Sequence, residues 1–260
     1  METLEELRER RAYECRLTPD RALESLDDAE DFLHDRGLLT RTADSALPSL
    51  YEACHEEAYK PGAGGFGEWP RTKWPWFGAL AERGHLVVAV HRGKNLLVTD
   101  RVAALLDPIC RAEIERMRAA APDWERLLYH LGVAGPSTLE DLQVELDLKP
   151  KELKLIRSPL ERCGTIVSRS LQVTAGEGYT HSSELARWDD VYSGPVDVDV
   201  HLHQALANLL CEGVRAAVVA PERELKRWFS WVWYWEDSLV DDLVGERRLR
   251  RVDGHVTLAA

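Results

Sequence analysis

With 45 Asp and Glu against 33 Lys and Arg, this 260-residue chain carries a formal charge of -12. That excludes a protein that coats nucleic acid indiscriminately, because neutralising phosphates takes clustered cations, yet it leaves room for a local basic patch on an acidic body. No run approaches the roughly 18 apolar residues that a bilayer span needs, and the opening METLEELRERRAYECR reads as a charged helix and not a signal peptide, so a soluble, cytoplasmic chain without membrane contact is expected.

A 45% hydrophobic fraction is enough for a sizeable core. Cys15, Cys54, Cys110, Cys163 and Cys211 are scattered and odd in number, which fits reduced thiols better than a disulfide framework or a zinc site. No metal and no cofactor is expected: the phosphate loop, the dinucleotide fingerprint, the zincin motif and the nucleophile elbow are all missing from the sequence.

Taken in order, residues 3 to 16 predict a charged helix. Thr18-Pro19-Asp20 reads as the cap of a second one, with Leu23, Leu26, Ala29, Phe32 and Leu33 as its apolar stripe and Gly37 as its stop. Leu38-Leu39-Thr40 suits a short strand or extended turn. Asp44 or Ser45 is placed to start the next helix, with Leu47, Leu50, Tyr51 and Cys54 facing inward. The segment KPGAGGFGEWPRTKWPWFG mixes glycine and tryptophan with Lys60, Arg71 and Lys73, a composition that suits either stacking on bases or an ordered loop plugging the core. A short helix from Trp76 to Arg83 and a hairpin of 86–90 and 96–99 follow. The hairpin turn, Arg92 to Asn95, reads as a DNA-contacting wing or a solvated turn.

Helices are predicted at 101–118 and from Asp123 to Leu131. Ser137 or Thr138 then caps a helix carrying Leu139, Leu142 and Leu146, and Lys149-Pro150 breaks it. A second amphipathic helix carries Leu153, Ile156 and Leu160 with Lys and Arg between them. Pro159 is expected to kink or shorten it, and Gly164 to stop it. TIVSRSLQV reads as a strand, Gly176 and Gly178 as a turn, and Tyr179 as the start of a return strand. Two helices, a tight turn and a hairpin make a winged helix.

Ser193-Gly194-Pro195 marks a boundary. Leu202, Leu206, Leu209 and Leu210 have helical spacing. Pro221 opens a second helix, Glu236 to Leu243 forms a third with Gly245 as its cap, and Asp253-Gly254 turns a final hairpin. The same order thus occurs three times at roughly 80-residue spacing. The expected fold is α+β, predominantly helical, with winged-helix modules over residues 1–105, 106–193 and 194–260.

Arg247, Arg248, Arg250 and Arg251 form the densest basic cluster. They could hold phosphates or pair with Glu236, Asp237, Asp241, Asp242 and Glu246. Asp197, Asp199, His201 and His203 alternate as metal ligands on a strand would, but the leucine spacing that follows makes them the start of a helix.

This arrangement, with GLLTRT (Gly37–Thr42) before an apolar helix and the wing-like HRGKNLLVTD, resembles the bacterial tandem winged-helix DNA glycosylases of the AlkZ/YcaQ type. The resemblance implies DNA repair, with excision of alkylated or crosslinked bases. In that family activity depends on a Gln-x-Gln or Gln-x-Asp pair, and the matching positions here are Thr40 and Thr42. The family's usual C-terminal β-barrel is not expected here, with no room for it after residue 260.

The expected function is therefore binding of duplex or damaged DNA, without the family's catalytic pair. Lys60, Arg71, Lys73, Arg92, Lys94, Arg248 and Arg250 would contact the backbone, and Trp74 or Trp76 would stack or wedge at a base. One alternative is a non-catalytic interaction or regulatory protein with a protein partner. Another is an active glycosylase that uses Asp44, Glu52 or Glu56 to hold the water.

Overall fold

In the computed structural model, which describes residues 2–62, 64–175, 178–194 and 201–259, one order of elements recurs three times. After α1 (Leu4–Glu14), the first unit comprises α2 (Leu26–Arg36), β1 (Leu38–Thr40), α3 (Leu50–Ala53), α4 (Trp76–Glu82) and the hairpin β2 (Leu86–His91) and β3 (Lys94–Val98). The long helix α5 (Asp100–Ala120) leads to α6 (Pro122–Ala134), β4 (Ser137–Thr138), α7 (Leu139–Glu145), α8 (Pro150–Arg162), β5 (Ile166–Ala175) and β6 (Gly178–Arg187). The last stretch holds α9 (Trp188–Val191), α10 (Leu202–Ala217), β7 (Ala220–Pro221), a 3-10 segment at Glu222–Arg227, α11 (Leu239–Gly245), β8 (Leu249–Val252) and β9 (His255–Leu258). Each unit closes a three-stranded antiparallel sheet in the same way, its short first strand pairing with the last strand of its hairpin: β1-β3-β2, β4-β6-β5, β7-β9-β8. This is the α+β class that the sequence predicts, with the element order of a winged helix in each unit.

Local chemistry sets the element ends. Thr3 and Glu6 form a capping box on α1, Ser25 caps α2, and Thr138 caps α7. Gly37 ends α2 with φ +83°, a conformation that glycine adopts without strain. The first and third hairpins turn on Arg92-Gly93 (φ +54°, +75°) and Asp253-Gly254 (φ +46°, +72°), the two-residue turns whose twist matches paired strands.

Packing explains why the strands of the first unit are apolar on both faces. Leu97 on β3 joins a cluster with Phe32, Leu33, Leu50, Tyr51 and Phe77, while its neighbours Leu96 and Val98 face a larger cluster. That larger cluster contains Leu106 and Ile109 of α5, Leu206 and Leu210 of α10, Trp228, Trp231 and Val256. The sheet of the first unit is therefore covered by its own helices on one side and by the third unit on the other. The second unit has its own cluster around Leu127, Leu131, Leu142, Leu153 and Leu160.

Several local expectations are corrected. Thr18 makes no capping bond: Pro19–Arg21 is an isolated 3-10 turn, and α2 starts later under Ser25. No helix begins at Asp44 or Ser45. Residues 41–49 loop back on β1, the Thr40 amide donating to the Pro48 carbonyl at 2.9 Å, so α3 starts only at Leu50 under Ser49. The first hairpin turns on two residues and not four, because β2 extends to His91 and β3 begins at Lys94. Pro159 does not end α8, which runs on to Arg162. The helix expected after Pro221 is a 3-10 segment only, and Gly245 lies inside α11, the left-handed position falling on Arg247 (φ +59°). The long helix α5 runs unbroken across residues 105 and 106, with Val102, Leu106, Ile109, Ile114 and Met117 buried along it. Gly176, Pro195, Asp197 and Asp199 lie outside the described residues; His203, from the same alternating pattern, pairs with Glu236 at 2.9 Å.

Candidate nucleic-acid interface

The loop after β1 carries Asp44, and three donors converge on its carboxylate. His91 Nε2 lies 2.9 Å and Arg92 Nη2 3.0 Å from Oδ1, and the Lys94 ammonium donates to Oδ2. Arg92 also donates to the Asp44 backbone carbonyl at 2.9 Å. Burial alone would raise this carboxyl, but hydrogen bonds from His91 and Lys94, with the charge of Arg92, outweigh it and hold it well below the ordinary carboxylate range. His91 is fully buried, and its Nδ1 lies 2.6 Å from the carbonyl oxygen of Trp228. Both ring nitrogens thus face oxygen acceptors, which fixes the ring between the Asp44 loop and Trp228.

Two clefts flank this cluster. One of about 330 Å³ is lined by Thr40, Arg41, Thr42, Trp69, His91 and Lys94. The other, of about 350 Å³, lies between Asp44, Arg92, Arg223, Arg227 and Trp228, bridging the first and third units. Arg41 reaches inward from the first cleft. Its guanidinium stands 5.1 Å from the Trp69 ring centroid and 4.5 Å from that of Phe77, and burial lowers its pKa.

The Gly/Trp-rich loop is stitched down by named contacts. The Tyr51 hydroxyl donates to the Trp74 carbonyl at 2.6 Å, and the Ala43 amide donates to the Tyr59 hydroxyl at 2.8 Å. Glu56 accepts from the Thr72 and Lys73 amides at 2.8 and 3.0 Å. Lys73 is half-buried, its ammonium donating to the carbonyls of Leu23 (2.7 Å) and Cys54 (3.3 Å) and lying 5.4 Å from the Trp76 ring centroid. Trp76 starts α4 and packs on the Phe32–Tyr51 cluster, whereas Trp74 is 43% exposed. Lys60 and Arg71 are exposed, Lys60 opposite Glu68 at 3.2 Å. Glu52 lines neither cleft; burial raises its carboxyl, opposed by the charges of Arg11 and His55.

In the third hairpin Arg248 donates to Asn208 at 2.8 Å and faces Glu246 at 3.8 Å, while Arg250 donates to the Glu2 carbonyl at 3.2 Å. Arg251 pairs with both Glu222 and Asp241. Arg248, Arg250 and Arg251 thus sit among acids, an amide oxygen and a backbone carbonyl.

A surface not expected from the sequence lies on α8. Lys151, Lys154 and Arg162 are exposed there, and Arg169 follows on β5; among the described residues none of the four has an ion-pair partner. Positions 151, 154, 158 and 162 share one helical face. The nearby acids are engaged elsewhere, Glu152 with the Lys149 amide at 2.8 Å and Glu161 with Arg157 at 3.7 Å. Arg162 lies against the wing turn of the first unit: a Cβ on Gly93 would stand 3.2 Å from Arg162 Cγ. The basic face therefore runs directly to Gly93 and Lys94 at the lip of the first cleft. Its signal was present in the recurrence of Lys149, Lys151, Lys154, Arg157 and Arg162 along one predicted helix.

No protein-family model and no curated protein matches this sequence. Among solved structures, the chain is similar to the Streptomyces sahachiroi DNA glycosylase AlkZ at 14% identity, with 99% of this chain and 70% of that chain covered and a TM-score of 0.55. The elements above, from α1 through the third hairpin, are thus laid out in an AlkZ-like fold.

Proposed function

We propose that this protein binds duplex DNA, alkylated or otherwise damaged, along the face of α8 and across the wing of the first unit. The observation that carries the reading is the row Lys151, Lys154, Arg162 and Arg169, without ion-pair partners among the described residues on a chain of net charge -12. Cations left unneutralised on the third helix of a winged-helix unit are placed for phosphates. Lys94 at the first cleft and Arg92 at the second extend the track, with Lys60 and Arg71 as further backbone contacts from the exposed loop. The AlkZ-like fold supports the same reading.

Binding is favoured over base excision. At the positions that resemble the family's glutamine pair, the Thr40 hydroxyl is spent on the Pro48 carbonyl at 3.1 Å. Asp44 is held ionised by three donors and is a weak base, and Glu56 is spent on backbone amides. Asp44 instead fixes Arg92 and Lys94 at the cleft mouth.

Fluorescence anisotropy with a labelled duplex over a salt series tests the proposal. Binding should weaken linearly in log–log form, and Lys151→Ala with Lys154→Ala should lower the slope by about 0.9 for each phosphate left unneutralised. An alkylated duplex should bind more tightly than an undamaged one. Absence of binding at low salt would move the reading to a protein-interaction module.

A further inference from the structure

We infer that Glu30, His34 and His85 form a binding site for a divalent transition-metal ion of the zinc class on the outer side of the first unit. One ligand atom from each of the three side chains lies within 4.8 Å of the other two. Glu30 and His34 are one turn apart on α2 and project from the same face. His85 is presented from the other side by the turn that ends α4, where Gly84 takes φ +104° and the Gly84 amide returns to the Ala81 carbonyl at 3.0 Å. The two imidazole rings meet edge to face, with centroids 5.1 Å apart and planes at 71°.

The carboxylate is already oriented. Its Oε2 is held by Arg83, which also pairs with Asp27 at 2.7 Å, and its Oε1 points at His85 Nε2 over 2.9 Å. An ion would take the place of the proton shared by Oε1 and Nε2, and Arg83 would keep the carboxylate fixed from outside, as the partners of metal-bound carboxylates do. Two imidazoles and one carboxylate suit zinc, cobalt, nickel or copper and not magnesium or calcium. His34 is exposed, so a fourth position is open to water. Thiols offer little competition, because Cys15, Cys54, Cys110 and Cys163 are buried. The ion would tie α2 to the entry of β2, the two elements that flank α4.

The test uses the full chain after chelator treatment, titrated with cobalt(II) and then zinc(II). One equivalent of cobalt should give visible ligand-field bands that zinc abolishes, and zinc should raise the thermal midpoint. His34→Ala, an exposed helix position, should keep the wild-type circular dichroism yet bind cobalt at least tenfold more weakly and lose the zinc-induced shift; Glu30→Gln should do the same. No cobalt spectrum in the wild type, or a spectrum unchanged in His34→Ala, overturns the site. Neither result bears on DNA binding.

Discussion

Tyr234 donates its hydroxyl to Glu113 over 2.7 Å, tying the third unit to the middle of α5. The Glu113 side chain is fully buried and also accepts from Trp233 Nε1 at 3.2 Å and from Arg116 at 2.8 and 2.6 Å. Burial, together with this acceptor, pushes the Tyr234 phenol up to about 12. Glu113→Ala leaves three donors without their acceptor. It should cost about 3 kcal/mol in urea unfolding, in the range for breaking a buried pair.

Asp44 makes stability depend on acid. Its folded-state pKa is depressed, so its contribution is complete above the unfolded value of about 3.9 and is lost as pH falls toward the folded one. Asp44→Asn should cost about 2 kcal/mol at pH 7, where Arg92 and Lys94 lose their counter-ion. The gap to wild type should narrow below about pH 4. Urea midpoints at pH 7 and pH 3 measure both, and a gap that is constant with pH would refute the assignment.

Gly164 lies where the units cross. It has φ +74°, and a Cβ there would stand 2.7 Å from Cys110 Sγ, 3.1 Å from Val90 and 3.4 Å from the Trp231 ring. Left-handed strain adds to overpacking against a crowded backbone turn. Gly164→Ala should cost about 3 kcal/mol and lower the thermal midpoint by roughly 10 °C, read by scanning calorimetry.

Lys73 and Lys151 separate two kinds of lysine. The Lys73 ammonium holds two carbonyls inside the first unit, so Lys73→Met should lower stability by about 1 to 2 kcal/mol and leave the salt slope of DNA binding as it was. Lys151→Ala should leave stability within about 0.5 kcal/mol and reduce the slope. Paired denaturation and anisotropy measurements on both variants decide the matter.

The thiols should be slow. Burial pushes Cys15 up to about 11 and both Cys54 and Cys163 up to about 12, and it raises Cys110 further. At pH 8 a disulfide reagent should modify at most Cys211 before unfolding exposes the rest.

The sequence carried most of the architecture, because local chemistry decides it: Gly37 and Gly164 as stops, Thr138 as a helix cap, Lys149-Pro150 as the break between two helices, Asp253-Gly254 as a turn. It was less informative where tertiary contacts overrule local preference. Ser45 has the chemistry of a cap, but Thr40 and Tyr51 draw residues 41–49 into a loop that folds back on β1. The meeting of Asp44 with His91 and Lys94 joins positions about fifty residues apart in sequence, which no spacing rule could reveal. Lys73 looked like a DNA contact because a sequence cannot show that its ammonium points at Leu23 and Cys54.

Arg215, near the end of α10, donates to the carbonyl of Asp35 at 2.9 Å across 180 residues, and Leu38 and Leu47 share their core with Leu209 and Trp228. During translation the first sheet therefore emerges long before the surface that covers its second face. Until α10 leaves the ribosome, Leu86, Val88, Leu96 and Val98 have only α5 over them and lack the rest of their cover, a nascent state prone to self-association.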